Sequence, residues 1–378
     1  MKKFVEIHVL KNYGAGNLNR DISGSPKCVS FGGVVRNRIS SQCLNRRVRF
    51  SDFFSDIEGI EVLGDRTRKI DTLVLDKLNE MGDYSGKEKE VKKLVSAIGK
   101  KEKKDESEDS TSDDSGANTV QLYSSYDIQK MAEILKDYFD GDKVEKFSLE
   151  KELAKSNVRP ISLDIALFGR MAATTSFTTI EGAVQVAHAM GTHKMRIESD
   201  FFTAVDDVVE RTDGESGSGH LDDREFTSNC VYEYFNIDVD SLVKNLKLCG
   251  DVSDELVIQI VEKFIQAVCF THPTGNQNKF ASYPNPSAVL VEVKNTKTPL
   301  TYQNAFVTPV RNSDSGNIVE NSIRILCKYV DRNDDMFGFT CERFWANLDG
   351  FENDAPKNST TFVNFNEMIT GVINTMKE

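Results

Sequence analysis

The first apolar pattern of the chain is a strict alternation over residues 4–10, where the polar Glu6 and His8 separate apolar side chains. Because successive side chains of a strand point to opposite faces of a sheet, this pattern predicts a strand with one buried side. His8 is then expected on the surface of that strand. A similar alternation over residues 227–237 predicts another strand, and residues 288–293 predict a third, at an edge of the sheet.

Helices are predicted where apolar residues recur at a period of about 3.6. The segments with this pattern are residues 127–139, 257–268, 319–330 and 362–376. Residues 181–190 are also predicted as a helix. Ser253 provides an N-cap for the 257–268 helix, and Pro273 marks its end. A sheet whose strands are separated by helices and long insertions indicates an α+β fold.

Two segments are predicted to lie outside the packed core. Residues 99–119 contain one apolar residue, Ala117, so they have almost no surface to bury and predict a solvated loop or linker. Mimicry of nucleic acid by this acidic tract is the alternative interpretation. Residues 193–226 predict a long hairpin with Asp213-Gly214 and Gly217-Ser218-Gly219 at its tip, where glycine tolerates a positive φ.

Positive charge is concentrated at the beginning of an otherwise acidic chain. The 378 residues include 47 Lys and Arg against 59 Asp and Glu, a formal net charge of -12. Residues 1–50 hold ten basic and two acidic residues, a net charge of +8, which leaves -20 for the remainder. An acidic protein that gathers positive charge in one segment usually directs it at a polyanion. The acidic remainder argues against indiscriminate binding to nucleic acid.

Cysteine use and hydropathy indicate a cytoplasmic protein. The seven cysteines are scattered and form no Cys-x-x-Cys pair, which predicts reduced thiols rather than a disulfide framework or a zinc site. No apolar run is long enough to span a bilayer, and the N-terminus lacks an apolar secretory segment, so no membrane association is expected. His188, His193 and His220 lack the spacing of metal ligands. We therefore expect neither a metal nor another cofactor.

The basic segment contains a candidate phosphate-binding helix. Residues 31–50 read FGGVVRNRISSQCLNRRVRF and include five arginines: Arg36, Arg38, Arg46, Arg47 and Arg49. Ser40-Ser41 predicts an N-cap, since a serine hydroxyl can accept from an N–H that has no partner in the first helical turn. At about 100° per residue, such a helix presents Gln42, Asn45, Arg46 and Arg49 on one face and Leu44 and Val48 on the other. Guanidinium and amide donors suit phosphate oxygens, and the local positive charge favours this interpretation over a merely solvated face.

Short motifs along the chain resemble those of one known family. They are EIHVL (6–10), LNRD (18–21), FGG (31–33), RISSQ (38–42), DIALFGRMA (164–172), VAHAMGTH (186–193), DFFTAVDD (200–207), GHL (219–221) and EFTS (225–228). In this order, over most of residues 4–236, they are similar to the CasC-type backbone subunit of the type I-E CRISPR surveillance complex, Cascade. A weaker similarity continues over residues 274–286. Several independent motifs in the right order make the resemblance specific.

The resemblance implies a hand-like α+β subunit. Its palm would be a modified RNA-recognition motif with a ferredoxin-like fold, formed by residues 1–59 and 181–378. Residues 60–180 would form a helical fingers insertion that carries the low-complexity loop 99–119. The thumb would be the β-hairpin of residues 193–226 within the palm. The chain lacks the aromatic run with which an RNA-recognition motif stacks bases on its sheet, so that mode of binding is not expected.

The resemblance also implies a function in antiviral defence, within a ribonucleoprotein effector complex. Several copies would stack head to tail along one CRISPR RNA, together with other Cascade subunits, and present its spacer in short segments for pairing with target DNA. The implied RNA-binding residues are Arg20, Arg38, Ser40, Gln42, Asn45, Arg46, Arg49, Gly169, Arg170, Met171, Phe202 and Thr203. Met171 and Thr203 match positions that flank a base displaced from the guide. Relatives often carry lysine where this chain has Asn45, so one phosphate contact is expected to be lost or to move to Arg46 or Arg47.

The alternative function is that of an enzyme, a metal-dependent RNA endonuclease. Related backbone subunits of other CRISPR types cut RNA with a loop aspartate, and Asp21 lies in a comparable loop. Metal-assisted cleavage normally requires clustered carboxylates or a metal-bound water near the scissile phosphate. Asp21 has no acidic neighbour in the sequence, and the adjacent Arg20 predicts an ion pair. We therefore expect no catalytic residue and no enzymatic activity.

Overall fold

A computed structural model of the protein describes residues 3–98, 120–141, 146–156, 159–172, 174, 176–205, 218–313, 316–348 and 354–378. The predicted low-complexity loop 99–119 lies outside these residues, as do Asp213-Gly214 and Gly217 of the predicted hairpin tip. The chain forms two compact units. The first comprises residues 1–53, 185–238 and 261–378, and the second comprises residues 54–184 and 239–260. The boundaries of palm, fingers and thumb expected from the sequence stay predictions.

Helices and strands are interspersed along the chain, which confirms the predicted α+β class. The strands are β1 (Phe4–Gly16), β2 (Cys28–Phe31), β3 (Val34–Ile39), β4 (Asp65–Thr67), β5 (Gln121–Tyr123), β6 (Val184–Val186), β7 (Ala189–Gly191), β8 (Glu198–Val205), β9 (Ser218–Asp238), β10 (Pro286–Lys294), β11 (Glu342–Asn347) and β12 (Ser359–Phe362). The helices are α1 (Ser41–Arg49), α2 (Ile70–Met81), α3 (Glu88–Ser96), α4 (Ser125–Asp140), α5 (Leu149–Lys155), α6 (Leu163–Phe168), α7 (Val239–Leu246), α8 (Asp254–Phe270), α9 (Gln277–Phe280), α10 (Ile318–Phe337) and α11 (Phe365–Lys377). Within the described ranges, every helix is too short or too polar to cross a membrane.

A mixed sheet of ten strands forms the frame of the first unit. Its main path runs in the order β12-β11-β10-β1-β9-β7-β3-β2, and β6 and β8 pair with β9 beside this path. β1 lies in the interior and is antiparallel to both β9 and β10, whereas β11 and β12 are parallel. The prediction of β10 as an edge strand is therefore wrong, because β11 and β12 extend the sheet beyond it.

Both faces of β1 are buried, so the expectation of one buried side is wrong. Glu6 is 0% exposed and His8 is 1% exposed. On their face of the strand, Leu10 belongs to a core cluster that also contains Leu326 of α10 and Trp345 of β11. The alternation along β1 thus separates an apolar face from a polar face, and a second layer of structure covers the polar one.

Ionisable residues on this covered face form a set that we call the buried charge network: Glu6, His8, Glu292, Lys294 and Arg343. Lys294 forms ion pairs with both Glu6 and Glu292, and Arg343 Nε donates to Glu292 Oε1 at 2.6 Å. Burial opposes the charged form of Glu292, but His8 and the charges of Lys294 and Arg343 outweigh burial and hold the pKa of Glu292 well below its usual value. Buried charges persist only with such partners, and here the partners join β1, β10 and β11.

The second unit contains the helices from α2 to α7. Helix α4 begins with a capping box, in which Ser124 Oγ accepts from Asp127 N and the Asp127 carboxylate accepts from Ser124 N. The helix predicted over residues 127–139 is thereby confirmed as part of α4. Its apolar stripe packs into a core cluster whose fully buried members include Val74, Leu78, Met131, Ala132, Leu135 and Leu153.

The helix predicted over residues 181–190 is wrong, since this segment forms β6 and β7. β7 pairs with β3 through Ala189 and Met190 and pairs with β9 on its other side. Between the two strands, Ala187 N donates to Tyr234 O at 3.0 Å. A short apolar run does not by itself distinguish a helix from a buried strand, and here the neighbouring strands supply the backbone partners.

The remaining predicted helices are confirmed, with small shifts at their ends except in α10, which continues seven residues beyond its predicted end. Residues 257–268 lie within α8, where Leu256 N donates to Ser253 Oγ at 3.1 Å and so satisfies one N–H of the first turn. Residues 319–330 lie within α10. The closing helix, predicted over residues 362–376, begins at Phe365 after the short strand β12.

Candidate nucleic-acid interface

The hairpin of β2 and β3 carries the first arginines of the candidate interface. Gly32 and Gly33 form its two-residue turn with φ angles of 59° and 78°, a geometry that glycine adopts without strain. A side chain at Gly32 would meet Val307 O at 1.8 Å. The two glycines therefore fix the path of β3, which carries Arg36 and Arg38.

Arg36 is fully buried and serves the fold. Its guanidinium donates to the backbone oxygens of Gly191 at 3.1 Å, Thr192 at 2.7 Å, Phe306 at 2.8 Å and Val307 at 3.1 Å. Burial lowers the pKa of Arg36. Four carbonyls accept from the two terminal nitrogens of this guanidinium, so Arg36 joins β3 to Gly191, Thr192 and residues 306–307. Because it is buried, Arg36 does not belong to a phosphate-binding surface.

The N-terminus of α1 is capped by a histidine from a distant part of the chain. His188 Nδ1 accepts from Ser41 N at 3.2 Å and lies 3.3 Å from Arg38 Nη1. Partial burial, followed by the charges of Arg38 and Lys27, lowers the pKa of His188 and favours the neutral imidazole that this acceptor role requires. Ser40 occupies the N-cap position, but its side chain makes no capping hydrogen bond. The predicted capping role of the Ser40 hydroxyl is therefore wrong.

Helix α1 presents the two faces that its sequence predicts. Leu44 and Val48 are buried, whereas Gln42 and Arg46 are exposed and Asn45 and Arg49 are half-buried. One side of α1 therefore packs into the first unit and the other carries arginines and amides, the donor set that phosphate oxygens require.

The arginines at the end of α1 differ in their surroundings. The guanidinium carbons of Arg46 and Arg49 lie 4.7 and 5.0 Å from the centre of the Phe50 ring. Arg47 Nε instead donates to His272 O at 2.5 Å. A guanidinium held over an aromatic ring keeps N–H donors at its edge for a further ligand. Arg46 is thus better placed to bind phosphate than Arg47, and phosphate binding by Arg49 stays a prediction.

The loop before β2 brings Arg20 beside β3. Asn19 Oδ1 accepts from Ser40 N at 3.0 Å, and Lys27 O accepts from Arg38 N at 2.9 Å. Arg20 itself is exposed. The first unit therefore gathers seven of the predicted RNA-binding residues into one region, which we call the basic surface: Arg20, Arg38, Ser40, Gln42, Asn45, Arg46 and Arg49. Ser40 is buried within this region.

A cleft of ≈ 600 Å³ lies between the Arg20 loop and the base of the β8–β9 hairpin. Its ionisable lining residues are Arg20, Arg224, Lys279, Asp222, Asp223 and Glu225. Three positive and three negative side chains nearly balance in charge, so the cleft alone would attract a polyanion weakly. The excess of positive charge lies on the α1 side of the basic surface.

Asp21 is engaged by its own loop. Asp21 Oδ1 accepts from Ser23 N at 2.9 Å, Ser23 Oγ at 2.7 Å and Ser25 N at 3.0 Å. The side-chain hydrogen bond from Ser23 is the main cause of the lowered pKa of Asp21. In the part of the chain that the structure describes, Asp21 makes no ion pair with Arg20, so that prediction is wrong. The serines hold this carboxylate as a turn-forming group.

Gly169, Arg170 and Met171 form a turn in the second unit. Gly169 has a φ of 80° and touches neighbouring backbone so closely that a side chain would collide. Arg170 is buried, and its guanidinium donates to Asp127 Oδ2 at 2.6 Å and to Thr178 O at 3.2 Å. Met171 is 87% exposed. Arg170 thus anchors the turn and Met171 projects from it, and a direct contact of Arg170 with RNA stays a prediction.

Phe202 and Thr203 lie on β8, which pairs with β9 as a hairpin. Phe201 is 67% exposed, whereas Phe202, on the opposite face of the strand, is half-buried. The guanidinium carbon of Arg224 lies 4.4 Å and the Lys279 ammonium 5.6 Å from the centre of the Phe202 ring. The hairpin therefore exposes Phe201 and Thr203 and holds Phe202 beside two cations.

One set of side chains in the described ranges has donors close enough to hold a metal: Glu6, His8 and Glu292 of the buried charge network. Lys294 and Arg343 already supply positive charge to these carboxylates. Their ammonium and guanidinium groups would repel a metal ion at this position. The chemistry of the set therefore favours a structural network over a metal site.

Two residues that build the basic surface were not identified from the sequence, His188 and Asn19. The LNRD motif contains Asn19, but its bond to Ser40 crosses 21 positions. His188 bonds to Ser41 across 147 positions. Local pattern carries no signal for such pairs, because they depend on how β3, β7 and the Arg20 loop meet.

Comparison with known proteins gives one family and a group of solved structures. A family model described as CT1975-like protein matches residues 5–371. A chain of a CRISPR RNA-guided surveillance complex, pre-nicking, is 27% identical with a TM-score of 0.79, and the match covers 98% of this chain and 99% of the other. A chain of another CRISPR RNA-guided surveillance complex shares the fold, with 24% identity, a TM-score of 0.62 and 99% of both chains covered. No curated protein matches the sequence.

Proposed function

The chain belongs to the CT1975-like protein family, and from this premise we propose that it is a CRISPR RNA-binding subunit of a Cascade-type surveillance complex. The observation that carries the proposal is the basic surface. It combines exposed arginines, amide donors and a capped helix N-terminus in a chain that resembles, over nearly its whole length, a chain of a CRISPR RNA-guided complex. Phosphate binding needs such donors on a surface that RNA can reach.

The basic surface binds the backbone of the guide in this proposal. Arg20, Arg38, Arg46 and Arg49 supply guanidinium donors, while Gln42 and Asn45 supply amides on the same side of α1. Backbone contacts fix the position of the guide without selecting its sequence. This is the behaviour that a subunit needs when its guides differ in sequence.

The finer assignment is a backbone subunit of a type I-E complex. Copies of the chain polymerise head to tail along the spacer, associate with other Cascade subunits and work in the cytoplasm. Met171, Phe202 and Thr203 interrupt the stack of guide bases, so the spacer pairs with target DNA in short segments. The exposure of Met171 and Thr203 supports this role, since a flexible thioether can press against a base without a hydrogen bond.

Binding is tested first by purifying the chain with its partner subunits and sequencing the RNA that it retains. The double change of Arg46 and Arg49 to alanine should weaken retention and flatten its salt dependence. Each lost phosphate contact changes the slope of log affinity against log salt by roughly 0.7 for single strands. The matched control changes Lys130 and Lys136 of α4 to alanine, which removes the same charge from side chains that pair with acids.

An equal loss of slope in the two double variants would overturn the basic surface as the binding site.

The assignment of Met171 and Thr203 has its own test, a scan of single mismatches along the target DNA. Regularly spaced positions should tolerate mismatches, and the positions between them should not. A uniform penalty along the guide would contradict the interruption of the base stack.

No catalytic residue is part of the proposal. The bonds from Ser23 and Ser25 to Asp21 support this view, because they engage Oδ1 of the carboxylate that the endonuclease alternative requires. The assembled complex should therefore leave complementary RNA intact in the presence of Mg²⁺ or Mn²⁺. Cleavage that disappears in Asp21→Ala would establish the endonuclease instead.

A further inference from the structure

Phe202 is held by two cations that belong to different elements. Arg224 lies on β9, diagonally across the hairpin from Phe202, and also lies 3.9 Å from the Asp222 carboxylate. Lys279 lies on helix α9, 77 positions after Phe202 in the chain. We propose that Lys279 positions Phe202 for its contact with the guide, an inference that rests on the proposed function.

Lys279 is carried by a compact segment, residues 273–282, that we call the platform. The buried side chain of Gln277 holds both ends of this segment: its Nε2 donates to Pro273 O at 3.0 Å and to Ser282 O at 2.9 Å, and its Oε1 accepts from Ser282 N at 2.7 Å. One amide thus closes the segment into a loop. Such a closed loop presents Lys279 from a fixed base.

Backbone strain in the platform indicates that the surrounding structure enforces its conformation. Asn276 and Ala281, on either side of α9, have φ angles of 53° and 45°. Alanine seldom occupies this left-handed region, because its Cβ crowds the backbone, and such strain persists only where the surroundings enforce it. Strain of this kind concentrates at functional positions.

The platform is also fastened to its neighbours on both sides. A side chain at Gly275 would meet Leu18 O at 2.3 Å, so the platform backbone lies directly against the Arg20 loop. On the hairpin side, the rings of Phe280 and Phe226 lie 5.6 Å apart. Lys279 therefore occupies a defined position between the Arg20 loop and the hairpin.

This arrangement assigns different roles to two kinds of basic residue. A cation over an aromatic ring is attracted by the ring face, so Lys279 holds the Phe202 ring before any RNA is present. Preorganisation of this kind reduces the conformational entropy that binding would otherwise cost. Lys279 is thus a positioning residue for Phe202, and Arg46 and Arg49 are phosphate ligands.

The test compares Lys279→Met, Lys279→Arg and Phe202→Ala in the assembled complex with a defined guide. Methionine keeps most of the lysine stem and removes its charge, and Lys279 is exposed, so the fold should tolerate the change. Lys279→Met should reduce the difference in mismatch tolerance between the regularly spaced positions and those between them, as Phe202→Ala should. Lys279→Arg should restore the periodicity, because it retains a cation over the ring.

Salt dependence separates positioning from phosphate binding. A positioning role leaves the salt slope of guide retention unchanged in Lys279→Met, whereas a phosphate contact would flatten it by roughly 0.7 and overturn the inference. Normal periodicity in Lys279→Met together with altered periodicity in Phe202→Ala would overturn the role of Lys279 alone. Normal periodicity in Phe202→Ala would reject the proposed role of Phe202 and, with it, this inference.

Discussion

The buried charge network and the basic surface both concentrate positive charge in the first unit, but they differ in what faces each cation. Lys294 and Arg343 are enclosed and directly paired with Glu6 and Glu292. On the basic surface, Arg46 is exposed and lies over the Phe50 ring. A cation with a buried carboxylate partner serves the fold, whereas a cation over a ring keeps donors for a ligand.

Arg36 and Arg170 show why a count of basic residues overstates a binding surface. Arg36 contributes to the net charge of +8 of residues 1–50, yet its guanidinium donates to four backbone carbonyls inside the fold. Arg170 lies in a motif that resembles a guide-contacting one, yet it pairs with Asp127. A buried guanidinium needs several acceptors at once, and the sequence does not show where the fold will supply them.

The largest contrast between the two regions is expected in stability. Arg343→Met leaves Glu292 and Asp334 without a principal partner, and breaking a buried pair costs about 3–5 kcal/mol. Arg46→Met removes an exposed cation and should change the free energy of unfolding by less than about 0.5 kcal/mol. Urea denaturation of both variants measures the difference. Similar losses in the two variants would break the contrast between network and surface.

The dependence of stability on acid pH is a second way to distinguish the buried charge network from exposed charges. Since the pKa of Glu292 is lower in the folded chain, the unfolded chain takes up its proton first. The stability that Glu292 contributes is therefore complete above its unfolded pKa of about 4.3 and is lost as the pH falls through the folded value. Glu292→Gln should remove part of this acid dependence, which the urea midpoint measures at each pH.

The matched control for this titration is Glu80→Gln, in which an exposed acid that pairs with Lys77 is changed. An exposed pair contributes little to stability, so the acid dependence of this variant should match that of the unmodified chain. If Glu292→Gln and Glu80→Gln showed the same acid dependence, the buried network would not be the source of the effect.

A smaller effect is expected at the N-terminus of α1. Neutral His188 accepts from Ser41 N, so protonation removes this hydrogen bond and adds a charge beside Arg38 and Lys27. Its pKa in the folded chain is lowered, so the bond is present above the unfolded value of about 6.5 and is lost as the pH falls through the folded value. Loss of one hydrogen bond corresponds to about 0.5–1.5 kcal/mol. Guide affinity should therefore weaken in mildly acidic solution.

His188→Asn provides the control for this pH effect, because an amide oxygen can accept near the position of Nδ1 without titrating. The variant should bind the guide at neutral pH and lose the mildly acidic pH dependence. Filter-binding measurements across the range compare the two proteins. Tighter binding of the unmodified chain at lower pH would instead mean that the imidazolium contacts phosphate.

The sequence was informative where local periodicity and burial agree. Helix α4 and helix α10 have apolar stripes that meet a core cluster. Both helices were predicted, α4 close to its observed bounds and α10 without its last seven residues. The alternation in β1 correctly predicted a strand. It did not predict that Leu300 and Tyr302 contact Glu6 and His8, because burial of a polar face depends on segments more than 200 positions away.

The candidate site also combines features that follow from local sequence pattern with features that depend on distant segments. The two faces of α1 follow from its helical period, and burial of Leu44 and Val48 orients them. Prediction of the cap on α1 would have required the position of β7, but residues 181–190 were predicted as a helix. That error concealed His188, since a histidine on a predicted separate helix has no apparent reason to meet Ser41.

The smallest effect is expected at Ser40, which lies at an N-cap position as Ser124 does. Ser124 Oγ accepts from Asp127 N within a capping box, and loss of such a cap costs about 1–2 kcal/mol. Ser40 makes no side-chain cap, and His188 accepts from the first N–H of α1. Ser40→Ala should therefore change stability by less than about 0.5 kcal/mol, whereas Ser124→Ala should show the full loss in urea denaturation. If Ser40→Ala reduced stability as much as Ser124→Ala, its hydroxyl would be the effective cap.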